Sequence, residues 1–324
     1  MNRNNIIKAK QILMENGVIG FPTESVYGLA GNAYSPLAVK TIFRIKNRPL
    51  TSPLIVHTNS LSRVEGMVKH FPLQARKLAK AFWPGPLTLL LDKKEVIPEV
   101  VTAGRSTVGI RIPNHSMALT LLKALPFPLA APSANPFGYI SPTTAAHVVE
   151  QLGDKVPYIL DGGPCQRGLE STIIGFADDS PMIYRLGSIT QEALSQVMGY
   201  PIPYIRPDEK HKGPHLAPGR TKHHYAPRTP LYRGDAATFF AQYKGDKKDV
   251  VALCFDKVLA DLPLSQQIIL SPKGSIEKAG QRLFAAMHIL DKRKAKFILA
   301  PLFPDQGIGR VMNERLSRAH NVIY

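Results

Sequence analysis

The sequence predicts an α/β protein built in two parts and joined by a linker. Three observations carry this. Over 1–200, segments with apolar residues at helical spacing alternate with short apolar or period-two segments. Over 201–230 the alternation stops, and seven prolines fall among charged residues. Over 231–324 it resumes. A chain of 324 residues suffices for two domains, and about 95 residues after the linker can bury a modest core.

The elements follow in order. Asn5 to Glu15 reads as an amphipathic helix, with Gly17 as the expected C-terminal cap. Val18 to Phe21 reads as a strand. Ser35-Pro36 supplies a cap and a first helical residue for a helix through Ile42 and Phe43. Leu54 to Val56 is an apolar strand. Leu73 to Phe82 is a helix stopped by Pro84-Gly85-Pro86, and Leu87 to Leu91 is the next strand. Thr107 to Ile112 alternates with strand period, and His115 to Leu125 is helical. Strands are expected at Leu129 to Ala131, Tyr158 to Leu160, Thr172 to Phe176 and Met182 to Tyr184. Thr144 to Leu152 and Thr190 to Met198 read as helices.

The linker is long for a passive connection inside a compact domain, and a lid over a site is one use for it. Beyond it, Asp249 to Phe255 and Phe297 to Ala300 read as strands, and Ser275 to Asp291 and Val311 to Ala319 as helices.

Composition excludes several classes. No run of 18 apolar residues offers a membrane span. The first residues mix polar and basic groups into the apolar pattern, unlike a secretory signal. Cys165 and Cys254 are the only cysteines, so a disulfide scaffold is not expected, and a reducing cytoplasm is. The formal charge of +17 favours anionic partners such as nucleotides, diphosphate or RNA without choosing among them.

Five clusters could carry chemistry. The first, Phe21 to Leu29, runs a strand into a hydroxyl-rich turn containing Thr23 and Ser25; those hydroxyls could equally just bond the backbone. The second places Lys46, Arg48 and Ser52 in one loop and His57 after it. Such cations suit phosphate oxygens, or they simply neutralise a helix C-terminus. In the third, strand period puts Thr107, Gly109 and Arg111 on one face. Arg111 could grip a carboxylate bidentately or be a solvated side chain on an exposed face. The fourth is Ala130 to Asn135, with Ala131 and Ser133, followed by Ser141-Pro142-Thr143; small residues there let a ligand approach the backbone. The fifth is Asp161-Gly162-Gly163 through Ser171-Thr172, with Tyr184-Arg185 at the end of the next strand.

Familiar nucleotide and hydrolase signatures are absent: there is no G-x-x-x-x-G-K-[ST], G-x-G-x-x-G or G-x-S-x-G. His215, His223 and His224 lack the companion ligands of a zinc site, so no protein metal site is expected.

Taken in order, PTESVYGL, KNRP with SPLIVH, STVGIRIP, APSAN, SPT, LEST and YRLG resemble the YrdC/Sua5 family of threonylcarbamoyl-AMP synthases. The linker's PGRTKHHYAP and the later GIGRVMNERLSRA resemble its two-domain Sua5 form. The resemblance implies an open, twisted YrdC-like α/β sheet domain and a smaller Rossmann-like C-terminal domain. It implies a nucleotidyltransferase that converts L-threonine, bicarbonate and ATP into threonylcarbamoyl-AMP and diphosphate. A downstream complex would then transfer the group to adenosine 37 of tRNAs reading codons that begin with A; direct tRNA contact stays open.

Carried over by position, Ser25, His57, Arg111, Ala131 and Ser171 would surround threonine. Arg48, Ser52, Thr107, Ser133, Ser141, Arg185 and Tyr225 would hold ATP, with Lys46 near the phosphates; Lys46 and Arg48 are the implied catalytic pair. Mg²⁺ is expected to arrive with ATP. Ser25 stands where the family commonly has threonine, and Leu186 where proline is common. Two other readings compete: a non-enzymatic tRNA-binding or RNA-binding protein using the positive charge, and a carbamoyl-transfer role like that of related domains in hydrogenase maturation. The chain lacks the aromatic strand motifs of common RNA modules and the paired-CxxC segments of the latter.

Overall fold

The computed structural model describes residues 3–205 and 224–320. The body of the linker, with His215, His223 and most of PGRTKHHYAP, lies outside the described residues, as does the lid expected there. The chain forms two compact units. The first takes the chain to Phe137, Pro142–Gln166 and the stretch from Glu170; the second takes Gly138–Ser141, Arg167–Leu169 and the chain from 224 onward. The division therefore does not follow chain order alone. Two short segments from the first 200 residues are built into the second unit: Gly138 O accepts from the Ala226 N–H at 2.8 Å, for example.

The first unit holds an eight-stranded mixed sheet. Its strands are β1 (Ile19–Phe21), β2 (Gly28–Asn32), β3 (Ile55–His57), β4 (Leu87–Asp92), β5 (Thr107–Arg111), β6 (Leu129–Ala130), β7 (Thr172–Ala177) and β8 (Ser180–Arg185). Their spatial order is β1-β2-β6-β3-β5-β4-β7-β8. β3 and β5 are parallel, β4 runs antiparallel to β5, and β7 runs parallel to β4. The start of β7 and the end of β8 therefore lie level with the ends of β3 and β5. Helices Arg3–Met14 and Ser116–Ala124 cover one side, with Leu13, Phe21, Leu121, Leu125 and Leu129 fully buried beneath them.

Most expected elements form. Ser35 caps the helix Pro36–Lys46 by accepting from the Ala38 N–H, and Thr144 and Thr190 cap their helices in the same way. Several details differ from expectation. The first helix ends on Asn16, whose φ is 61°, not on Gly17; an asparagine side chain tolerates that left-handed position. Tyr158 to Leu160 makes one isolated bridge, between Ile159 and Gly20, and no strand. Strand β2 is not legible in the sequence, because its GLAGN lacks the β-branched residues of a strand. Its glycines serve a close approach: a Cβ on Gly28 would stand 3.1 Å from the Ala131 Cβ.

In the second unit β9 (Leu231–Arg233), β10 (Val250–Cys254), β11 (Gln267–Ile269) and β12 (Phe297–Ala300) form an all-parallel sheet, ordered β11-β10-β12-β9. Helices Ile276–Asp291 and Gly307–Ala319 accompany it, which is the Rossmann-like arrangement expected. β9 and β11, three residues each, are too short to read from period. Both cysteines are free and buried. No helix among the described residues is long and apolar enough to cross a membrane.

Candidate functional site

The strand pair β3–β5 organises the site. Its register matches His57 with Arg111, the last residue of each strand. Arg111 is 4% exposed, so the open, solvated strand face is not what forms; both faces of β5 are buried. The guanidinium is held at two nitrogens. Nε donates to Gly85 O at 3.2 Å. Nη2 donates to Ser25 Oγ at 2.7 Å and lies 2.7 Å from Glu24 Oε1. Among the described residues nothing accepts from Nη1, which leaves it as the donor open to a ligand. The bidentate grip read from the sequence is narrowed, since two of the three nitrogens already serve the protein.

The turn before β2 explains how Ser25 reaches Arg111. Thr23 Oγ1 donates to Val26 O at 2.7 Å and accepts from the N–H groups of Ser25 and Val26. This self-bonded turn is the bland reading of Thr23, and it is correct for that residue. It turns Glu24 and Ser25, 3% and 0% exposed, onto the arginine.

His57 is buried beside Arg111. Burial, and secondarily the Arg111 guanidinium, hold its imidazole down to about 3. The ring is neutral at physiological pH. The unfolded chain, with a pKa near 6.5, binds a proton between those values that the folded chain does not. Stability is therefore full above about pH 6.5 and falls as pH drops toward 3. Replacing His57 with asparagine should flatten that part of the urea-unfolding stability profile between about pH 6.5 and 4; parallel profiles for both proteins would refute it.

Ser171 lies just before β7, so the sheet topology brings it to the same end. Its Oγ is 2.7 Å from Thr88 Oγ1, and Arg185 Nη2 donates to its carbonyl at 2.7 Å and its hydroxyl at 3.1 Å. Ser171 and Arg185, implied for different substrates, thus touch each other.

A second group gathers at the opposite end of β3–β5, four residue steps or about 13 Å from Arg111 along the strand. Arg48 donates to Ser52 O at 3.3 Å and Pro53 O at 3.0 Å, with its guanidinium 5.6 Å from the Phe137 ring centroid. Thr107, the first residue of β5, stands at that end.

Lys46 closes the helix Pro36–Lys46 but does more than neutralise its end. Asn47, in the left-handed conformation, terminates the helix, and Lys46 is 1% exposed. Its Nζ donates to Ser133 O at 2.6 Å and also to Asn135 O. Burial and the nearby Arg48 push the amine well below its ordinary range. Two of its N–H bonds thus meet these two carbonyls. Lys46 therefore fixes the loop 132–135. Ala131 is fixed by its own N–H on Ile55 O at 2.9 Å, and Ser133 bridges Gly28.

The fifth cluster is partly structural. The Tyr27 hydroxyl donates to Gly163 O at 2.8 Å, with Asp161 Oδ1 at 3.2 Å, and accepts from the Gly162 N–H at 3.0 Å. A Cβ on Gly162 would meet the His115 ring at 2.6 Å, so only glycine fits.

Ser141 and Tyr225 belong to the second unit. Ser141 is fully buried, and its carbonyl lies 3.2 Å from His288 Nε2. Tyr225, with φ at 67°, stacks on Phe284 at 5.6 Å and lies under the Arg315 guanidinium at 4.9 Å. Its ring is thus covered by its own unit.

Sequence reasoning assigned no role to Glu24, Thr88 or the Gly85 carbonyl. Glu24 stood in plain view between Thr23 and Ser25, but a lone acid in a polar turn has no sequence feature that names a partner 87 residues away. Among the described residues no group of three His, Cys, Asp or Glu could hold a metal ion.

A family model described as telomere recombination, covering Sua5, YciO and YrdC proteins, matches residues 11–187. A second, described as the C-terminal domain of threonylcarbamoyl-AMP synthase, matches residues 189–320. The threonylcarbamoyl-AMP synthase of Bacillus subtilis (strain 168) is 37% identical over 98% of this chain and 93% of its own length. That of Pyrococcus abyssi (strain GE5 / Orsay) is 36% identical over 96% and 92%. The crystal structure of P. abyssi Sua5 complexed with L-threonine is similar to this chain with a TM-score of 0.90 at 36% identity, covering 98% of this chain and 95% of that one.

Proposed function

The chain belongs to the two-domain Sua5 branch of the YrdC family, and from that premise we propose its reaction: L-threonine, bicarbonate and ATP give threonylcarbamoyl-AMP, diphosphate and water. It is an enzyme of the nucleotidyltransferase type, serving the threonylcarbamoyladenosine modification of tRNA. The observation that carries the site assignment is the strand pair β3–β5. One end presents Arg111, His57 and Ser25; the other gathers Arg48, Ser52 and Thr107. A small amino acid and a nucleotide phosphate can lie along it.

At the first end Arg111 Nη1 is offered to the threonine carboxylate, with Ser25, His57, Ala131 and Ser171 around the rest. Neutral His57 can share a hydrogen bond without adding charge. At the other end Arg48, Ser52, Thr107 and Ser133 receive ATP. The threonine amine captures carbon dioxide from bicarbonate, releasing a proton, and the bicarbonate oxygen leaves as water. A carbamate oxygen then attacks the α-phosphorus in line, and diphosphate departs. No covalent bond to the enzyme is needed, so its work is positioning and charge stabilisation. Arg48 stabilises charge on the phosphates, and Lys46 holds the loop that carries Ser133. Arg185, Ser141 and Tyr225 take their ATP assignment from motif position. Mg²⁺ enters with ATP as part of the substrate, and no acidic cage among the described residues would hold it otherwise.

Transfer to adenosine 37 falls to a separate tRNA threonylcarbamoyl-transfer complex, and the cytoplasm is where ATP and tRNA meet such a protein. Incubation with labelled threonine, bicarbonate and ATP should give a labelled acyl-adenylate and diphosphate in equal amounts. Diphosphate release that proceeds equally without threonine or without bicarbonate would refute the reading.

A further inference from the structure

Among the described residues Glu24 is the one carboxylate paired with Arg111, and no role for it follows from the reaction. It is 3% exposed, and its Oε1 lies 2.7 Å from Arg111 Nη2. Among the described residues neither of its oxygens has a hydrogen bond of good geometry. The groups around it are neutral or are Arg111 itself. Burial holds His115 down, and burial followed by the Glu24 charge pushes the Cys165 thiol up. Ser25 carries no charge. The pair Glu24–Arg111 is thus an isolated buried ion pair of zero net charge, with one guanidinium nitrogen left open.

That neutrality has a consequence for selection. The protein carries +17, and the reactants other than threonine, bicarbonate and ATP, are anions, as is the released diphosphate. A bare buried arginine would take any of them. Threonine alone is a zwitterion. A carboxylate beside the arginine opposes binding of a net anion and favours a ligand that brings its own positive charge a few ångströms from its carboxylate.

We propose that Glu24 is a specificity-determining residue: it neutralises Arg111 so that the subsite selects an incoming α-amino acid zwitterion over a free anion. This rests on the reading of Arg111 as the partner of the threonine carboxylate. The contribution is electrostatic and acts through Arg111 and across the subsite; no contact between Glu24 and the substrate is required.

The test is direct binding without ATP, by calorimetry on the full chain. The ligands are L-threonine and 2,3-dihydroxybutanoate, the isosteric hydroxy acid in which a hydroxyl replaces the amine. Wild type should bind threonine at least tenfold more tightly than the hydroxy acid. In Glu24→Gln, which keeps a hydrogen-bonding group of the same size, threonine should weaken about tenfold while the hydroxy acid tightens about tenfold, each about 1.4 kcal/mol. Glu24→Asp keeps the charge and should keep the wild-type order. A purely structural role would weaken both ligands together in Glu24→Gln, and that result would overturn the proposal. If Glu24→Gln does not fold, the wild-type preference still decides: equal affinity, or preference for the hydroxy acid, overturns it. Failure of wild type to bind threonine at all would instead defeat the functional reading on which this one stands.

Discussion

Arg111→Ala is expected to lower kcat/KM for threonine by roughly a hundredfold or more, about 3 kcal/mol, with the KM for ATP changed only a few-fold. The asymmetry follows from position. Arg111 ends β5, and its donors reach Gly85, Ser25 and Glu24, all at one end of the strand; Arg48, Ser52 and Thr107 lie at the other. Initial rates of diphosphate release over a matrix of threonine and ATP concentrations separate the two. Equal losses for both substrates would remove Arg111 from the threonine subsite. Stability should fall too, by about 3–5 kcal/mol, because the variant leaves Glu24 buried without its cation. The double variant Arg111→Ala with Glu24→Gln should recover much of that stability and none of the threonine use. Arg111→Lys is not a mild change here, since an ammonium cannot span the same three acceptors from one planar group.

The second large effect is expected at Lys46. Its amine joins the end of the helix Pro36–Lys46 to the carbonyls of Ser133 and Asn135. Lys46→Met keeps most of the volume and removes both donors. Two buried carbonyls then lose their partner, at about 1–3 kcal/mol each, so unfolding in urea should show a loss of about 2–6 kcal/mol. The same change releases the loop that places Ser133, so kcat/KM for ATP should fall by about two orders of magnitude, a scale typical of misplaced binding groups. The linkage has a definite sign. The folded amine titrates well below the 10.5 of the unfolded chain, so the unfolded state binds more protons in between. Wild-type stability should gain on Lys46→Met as pH rises toward 10.5; a gap that narrows instead would mean the folded amine is charged.

Much of this was legible without coordinates. The caps Ser35, Thr144 and Thr190 and the helix Leu73–Phe82 are local features, set by side chains bonding their own backbone and by prolines that cannot continue a helix. Leu87–Asp92, with four leucines in LTLLLD, and the apolar run Phe297–Ala300 declare themselves by composition. Strand β2 and the short β9 and β11 do not, because pairing with neighbours, not composition, makes them strands. At the site, the sequence pointed to Arg111, Arg48, Lys46 and Ser25 as chemistry-bearing residues. What each one touches was closed to it.

Alone, then, the sequence determined the α/β class and the ordered motifs that mark the family, since period, caps and motif order are properties of neighbouring residues. Only the tertiary structure decided that Glu24 stands against Arg111, that Lys46 holds a loop 87 residues away, and that Gly138–Ser141 and Arg167–Leu169 join the second unit. Those pairings are long-range. They depend on strand register and on which polar groups are buried together, and a buried charge takes the partner that the fold brings to it.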